Sequence, residues 1–371
     1  MQSYIFNFPF RAVLLACITL VLTNLLSCSC DGSNSSSGYT DYGQGGCGLS
    51  ESVFPQDSVR YETEAVEFEV VSGNGNTLYG IIQRPRNDLY PEKCFPAVIV
   101  IPGGLGAGRT ISQRGPWINL AEQGVVIVSF NFQGRGNAPN DITSEGEEDY
   151  NGFINQDDLR LVVLYTLDLQ NVQYDNVGIF SMSYGITAAA GCVGTYPELQ
   201  VKWLIDLEGP SHSYVTCFEP WSLDSDPTND LIQLGFDTFG HYSRERDTSI
   251  ENMSFWDERE AYLYIGGFRG YYLRLQAEWD HAQPPNEFFQ DSAFDHPPEW
   301  WQNMHAIRMV NAAVEGGVPW VRVNSEAEAN TVNATYDYYS APTWLSGWYE
   351  NHPEEPNRSI LEMILMPPRQ G

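Results

Sequence analysis

The stretch GIFSMSYG, Gly178 to Gly185, places two serines two residues apart, between an apolar run and a string of small residues. A serine hydroxyl becomes a nucleophile when a nearby base takes its proton, and it can then carry an acyl group as a covalent intermediate. Such a serine is best exposed on a very tight strand-to-helix turn, which needs small residues two before and two after it. Ser183 meets that requirement, with Ser181 before it and Gly185 after it. Ser181 would have Ile179 before it, and a β-branched residue belongs inside the strand. Ser183 is therefore the candidate nucleophile, and Ser181 stands where the motif more often has glycine.

The partners of such a serine are read by chain order. Donors for the tetrahedral oxyanion are expected from the backbone N–H of Tyr184 and from the loop IPGGLG, where glycines let amides approach a substrate. Gly104 is the first choice there and Leu105 the second. The order expected along the chain is nucleophile, acid, base, with the base after the last strand. Of the six histidines only His352, in GWYENHPEE, follows the final apolar run VPWVRVN. His305 precedes that run at what reads as a helix start, where a surface or capping role is expected. Asp280, in LRLQAEWDHAQP, lies just beyond a buried strand and is the favoured acid. Asp206 and Glu208, one strand earlier, compete with it. The Asp-His pairs at 280–281 and 295–296 are too scattered to define a metal site, so no cofactor is expected.

These residues need an alternating scaffold. EAVEFEVVSGNGNTLYGIIQRP reads as a β-hairpin around SGNGN. FPAVIVI, GVVIVSF and NVGIFSM are continuous apolar runs, as strands buried on both faces should be, and VKWLIDL reads as a further strand. Helical spacing recurs between them, in WINLAEQG, in NQDDLRLVVLYTLDLQ with acids in its expected first turn, and in ITAAAGCVGTYPE. The alternation predicts an α/β fold with a mostly parallel, doubly wound sheet. Residues 211–268, aromatic and acidic, interrupt it and read as an inserted cap.

The segments LYGIIQRP, FPAVIVIPGG, VVIVSFNFQGRG, VGIFSMSYG and YLRLQAEWDHAQP together resemble the α/β-hydrolase superfamily. Within it the chain is similar to the branch of dipeptidyl and acylaminoacyl peptidases, dienelactone hydrolases and acetyl xylan esterases. The resemblance runs from about Glu64 to the C-terminus, the cap excepted. It implies acyl transfer to water through a serine acyl-enzyme, with Ser183 as nucleophile, Asp280 as acid and His352 as base. The sequence ahead of this domain is too short for a β-propeller, which favours an esterase over an oligopeptidase.

The rest of the chain bounds where such a protein would work. A formal net charge of −29 argues against nucleic acid or anionic membrane surfaces as partners. Residues 1–28 read as a secretory signal, because Arg11 precedes the apolar run AVLLACITLVLTNLL. The run ends in LLSC, which resembles a bacterial lipobox and makes Cys28 the lipidation candidate; Cys30 offers a competing frame, and an ordinary signal peptide or uncleaved anchor are the alternatives. Residues 29–52 are Gly- and Ser-rich and read as a flexible tether, followed by the catalytic domain over 53–371. An exported protein is expected, tethered at a bacterial cell envelope or else secreted, touching a membrane through its N-terminal lipid alone. No C-x-x-C occurs among the seven cysteines; Cys47 with Cys94 is the preferred disulfide, although spacing does not fix connectivity. A small ester is the expected substrate. A peptidase acting on short peptides, anchored by acids in SEGEEDY or WDERE, and an inactive surface binding protein of the same fold are the two rivals.

Overall fold

The computed structural model describes residue 47 and residues 53–56, 58–136, 141–211, 250–276, 298–323, 334–336 and 355–367. All lie in the unit Tyr42–Gly371. The expected hairpin forms as β1 (Thr63–Val71) and β2 (Thr77–Pro85), paired antiparallel. β3 (Phe95–Ile101), β4 (Val126–Phe130), β5 (Val172–Met182), β6 (Val201–Leu207), β7 (Tyr271–Leu275) and β8 (Trp320–Val323) follow. They join in one sheet of order β1-β2-β4-β3-β5-β6-β7-β8, parallel from β4 to β8. Every residue of β3 and β4 is buried, as their unbroken apolar sequences require of strands covered on both faces.

Alternating side chains divide the core into two layers. Ala97, Ile99 and Ile101 of β3 pack with α2 (Phe153–Leu167), α3 (Gly185–Thr195), α5 (Ala261–Ile265) and α6 (Pro298–Glu315). Val98 and Val100 face the other way, toward α1 (Gly115–Glu122) and α7 (Glu355–Leu365). One further described α-helix, α4 (Ile250–Asp257), precedes α5. Of the stretch read as a cap, residues 212–249 lie outside the described residues, while Ala261, Ile265 and Phe268 belong to the main core against α3. Cys47 and Cys94 form a disulfide with Cα atoms 5.8 Å apart, fastening the chain ahead of β1 to the start of β3.

Two local expectations need correction. α2 begins at Phe153, so Asp157 and Asp158 fall beyond its first turn, which holds no acid. Asp158 is buried rather than set against the helix dipole. His305 lies well inside α6, not at its start, and is fully buried. Its Nδ1 accepts the Ser211 backbone N–H at 2.9 Å and lies 3.0 Å from the Ser211 hydroxyl. It is thus a core residue, without the surface or capping role read from the sequence.

Candidate active site

β5 ends at Met182 and α3 begins at Gly185, leaving Ser183 and Tyr184 to make the whole turn. Ser183 takes φ +47°, a left-handed conformation that costs an L-residue energy and that the surroundings must impose. Its N–H donates to the Leu207 carbonyl at the end of β6, at 2.7 Å. Space around the turn is very limited. A Cβ on Gly185 would lie 2.5 Å from the Pro102 carbonyl oxygen, and one on Gly103 would lie 3.0 Å from the Ser183 Cβ. Gly185 therefore demands glycine, for close approach rather than for flexibility, and a side chain on Gly103 would press on Ser183. Ser181 sits fully buried inside β5, paired with Ile101 and Asp206, which removes it from any surface chemistry.

The glycine loop after β3 reaches the same place. Gly103 touches Ser183, Gly104 adopts φ +59°, and the Leu105 side chain packs into a cluster with Tyr184, Phe255 and Trp256. The far end of this loop is held by Asn131, whose Oδ1 accepts the N–H groups of Gly108 at 2.7 Å and Arg109 at 2.9 Å. Gly103 was not singled out from the sequence, although its place in the Gly-Gly pair was the available signal.

The competing acids sort by their partners. β6 and β7 pair Asp206 with Arg274 in register. The carboxylate accepts from Arg274 Nη1 at 2.7 Å, from the Tyr272 hydroxyl at 2.8 Å and from the Gly209 N–H at 3.0 Å. Burial pushes this carboxyl up and the guanidinium pulls it back down. Three donors thus hold it within the sheet, where it ties β6 to β7. Glu208 stands at the end of β6 with φ +52°, its N–H on the Leu275 carbonyl at 2.9 Å. Asp280 and His352 both lie outside the described residues, as do both Asp-His pairs. The structure does place the end of β7 at Leu275, five residues before Asp280, and β8 ahead of His352.

The loop that carries SEGEEDY completes the surroundings, through two residues with no expected role. Tyr150 and Asn151, with φ +54° and +64°, precede α2 and contact Tyr184 directly. Three of the acids of SEGEEDY and WDERE pair with arginines. Glu148 accepts two bonds from Arg135, at 2.7 and 2.8 Å, while Asp149 and Glu258 pair with Arg259, each at 3.1 Å. The Asn-Gly dipeptide at 151–152 was the sequence signal for a left-handed residue here.

No known family model matches the sequence, and neither does any curated protein sequence. Solved structures do resemble this one. Dipeptidyl peptidase 4 of Porphyromonas gingivalis superposes with a TM-score of 0.52 at 13% identity, covering 82% of this chain and 36% of that protein. Acylaminoacyl peptidase of Pyrococcus horikoshii gives 0.52 at 13% identity, over 83% of this chain and 42% of that one. Prolyl oligopeptidase B of Galerina marginata gives 0.51 at 11% identity, over 81% and 36%. The chain thus spans well under half the length of these neighbours. Their likeness, together with the strand order and the turn at Ser183, shows that the chain has the α/β-hydrolase fold.

Proposed function

We propose that the protein is a serine hydrolase whose substrates are carboxylic esters. The observation that carries this reading is the Ser183 turn: a left-handed serine at the β5–α3 junction, closed by Gly185, where a Cβ would run into the Pro102 carbonyl oxygen. Ser183 Oγ attacks the ester carbonyl while His352, oriented by Asp280, takes its proton. The Tyr184 and Gly104 backbone N–H groups receive the developing oxyanion, with Leu105 as the alternative to Gly104. His352 then returns the proton to the leaving alcohol, and a water molecule repeats the sequence to release the acid. The cluster of Leu105, Tyr184, Phe255 and Trp256 supplies an apolar wall for an acyl or aryl group.

An ester is preferred to a peptide because Glu148, Asp149 and Glu258, three of the acids offered for a substrate amino group, are already paired with Arg135 and Arg259. The three solved neighbours described above are named as peptidases, so peptide hydrolysis is the rival that the assay must address. Export belongs to the same proposal, with Cys28 as the lipid-bearing residue. The Cys47–Cys94 disulfide supports an oxidising compartment.

A fluorophosphonate probe tests the reading. The wild type is expected to label at one serine, and Ser183→Ala to lose both labelling and turnover of short p-nitrophenyl esters. Labelling that survives the substitution moves the nucleophile elsewhere. A wild type that neither labels nor turns over leaves the fold without hydrolytic activity. Faster turnover of aminoacyl amides than of esters would favour the peptidase.

A further inference from the structure

We propose that Tyr150 and Asn151 clamp Tyr184 at both of its ends, and that Asn151 is a positioning residue for the oxyanion donor that Tyr184 supplies. This rests on the serine hydrolase reading above. The Tyr184 hydroxyl donates to the Tyr150 carbonyl at 3.1 Å, and Asn151 Nδ2 donates to the Tyr184 carbonyl at 2.9 Å. One dipeptide thereby holds the ring tip and the backbone of the residue that follows the nucleophile. The side chain spans fixed points, so the Tyr184 peptide planes lose the freedom to rock about the turn.

The clamp is itself anchored from several directions. Asn151 is completely buried, and its Oδ1 accepts from Arg135 Nη2 at 2.6 Å. Its N–H donates to Asn155 Oδ1 at 2.9 Å, and its carbonyl accepts from Gln156 Nε2 at 3.3 Å. The Tyr150 carbonyl also accepts from Arg259 Nε at 3.0 Å. Two consecutive non-glycine residues with positive φ persist only where the surroundings over-determine them. Here every polar group of Asn151 is assigned, and the one side-chain donor bond points at the turn bearing the nucleophile. Ordinary helix capping does not require this, because Thr187 already donates to the same Tyr184 carbonyl through its hydroxyl at 2.9 Å and its N–H at 3.2 Å. An outside donor adds orientation relative to the loop.

Two substitutions separate positioning from folding. Asn151→Gly suits φ +64° and deletes the Asn151 half of the clamp, whereas Asn151→Asp keeps the acceptor toward Arg135 and turns a second oxygen on the Tyr184 carbonyl. Removing an oxyanion donor outright costs about 100- to 1,000-fold in turnover, so loosening one is expected to lower kcat by about tenfold. KM on a p-nitrophenyl ester should stay within about threefold of wild type, because the oxyanion exists only after attack. Rates are counted per serine that the fluorophosphonate labels at completion, so misfolded protein drops out of the comparison. Unchanged kcat per labelled serine in either folded variant overturns the positioning role, even if stability falls. A wild type that does not label removes the hydrolase reading, and the clamp's catalytic role with it.

Discussion

At the scale of single residues, Ser183 combines two demands that oppose each other. Its chemistry requires a side chain, while φ +47° favours having none. Left-handed geometry costs an L-residue about 1–2 kcal/mol, and glycine escapes that cost. Ser183→Gly and Ser183→Ala should both be inactive, but the glycine variant should be more stable than the alanine variant by about 1 kcal/mol, less whatever entropy glycine adds to the unfolded chain. Urea midpoints of the two give the difference, and an alanine variant of equal or greater stability would mean that the turn is not strained. The turn was legible because its small-residue rule is local, spanning five positions. Gly103 and Asn151 were harder to read, since each acts across the fold. Asn151 meets Tyr184 over 33 positions of sequence, and nothing in the residues around it names that carbonyl. Asp206 shows the converse: its type and place suited a catalytic acid, and only the register with β7 revealed Arg274 as its partner.

At the scale of elements, strands were easier to read than helix boundaries. A strand buried on both faces announces itself by an unbroken apolar run, as FPAVIVI does. α2 begins two residues earlier than its apolar spacing suggests, because Phe153 and Ile154 in its first turn remain exposed and break the amphipathic pattern. Asp158 lies in the interior, where Gln133 Nε2 donates to it at 2.8 Å and no cation pairs with it among the described residues. Burial raises this carboxyl from 3.8 to about 6, with the hydrogen bonds from Gln133 and Asn155 opposing the rise. A raised carboxyl stabilises the fold fully below its unfolded pKa, where both states hold the proton. That contribution is lost as pH climbs from about 4 through about 6, and the difference amounts to about 3 kcal/mol. Asp158→Asn carries no such titration. Urea midpoints measured from pH 4 to 7 should therefore show wild type losing ground to the variant across this window. Parallel curves would show that the carboxyl titrates normally.

At the scale of the whole molecule, the sheet, the two core layers and the arginine pairs must hold together a chain of net charge −29. The arginines are placed where carboxylates are most costly. Arg274 meets Asp206 with both side chains fully buried, and Arg109 meets Asp141 at 2.6 Å with both nearly so. Arg135 and Arg259 secure the loop beside Ser183 in the same way. Such pairs lie away from mobile ions and are screened little, whereas repulsion among surface carboxylates is screened within about 10 Å at 0.1 M salt. Salt should thus remove more repulsion than attraction. Raising sodium chloride from about 0.02 to 0.5 M, a range over which the screening length falls severalfold, is expected to raise Tm by several degrees. Sodium chloride is the salt to use, because sulfate would also strengthen apolar burial and confuse the cause. A Tm that falls with added chloride would mean that exposed ion pairs, not the buried ones, carry the electrostatic stability of this fold.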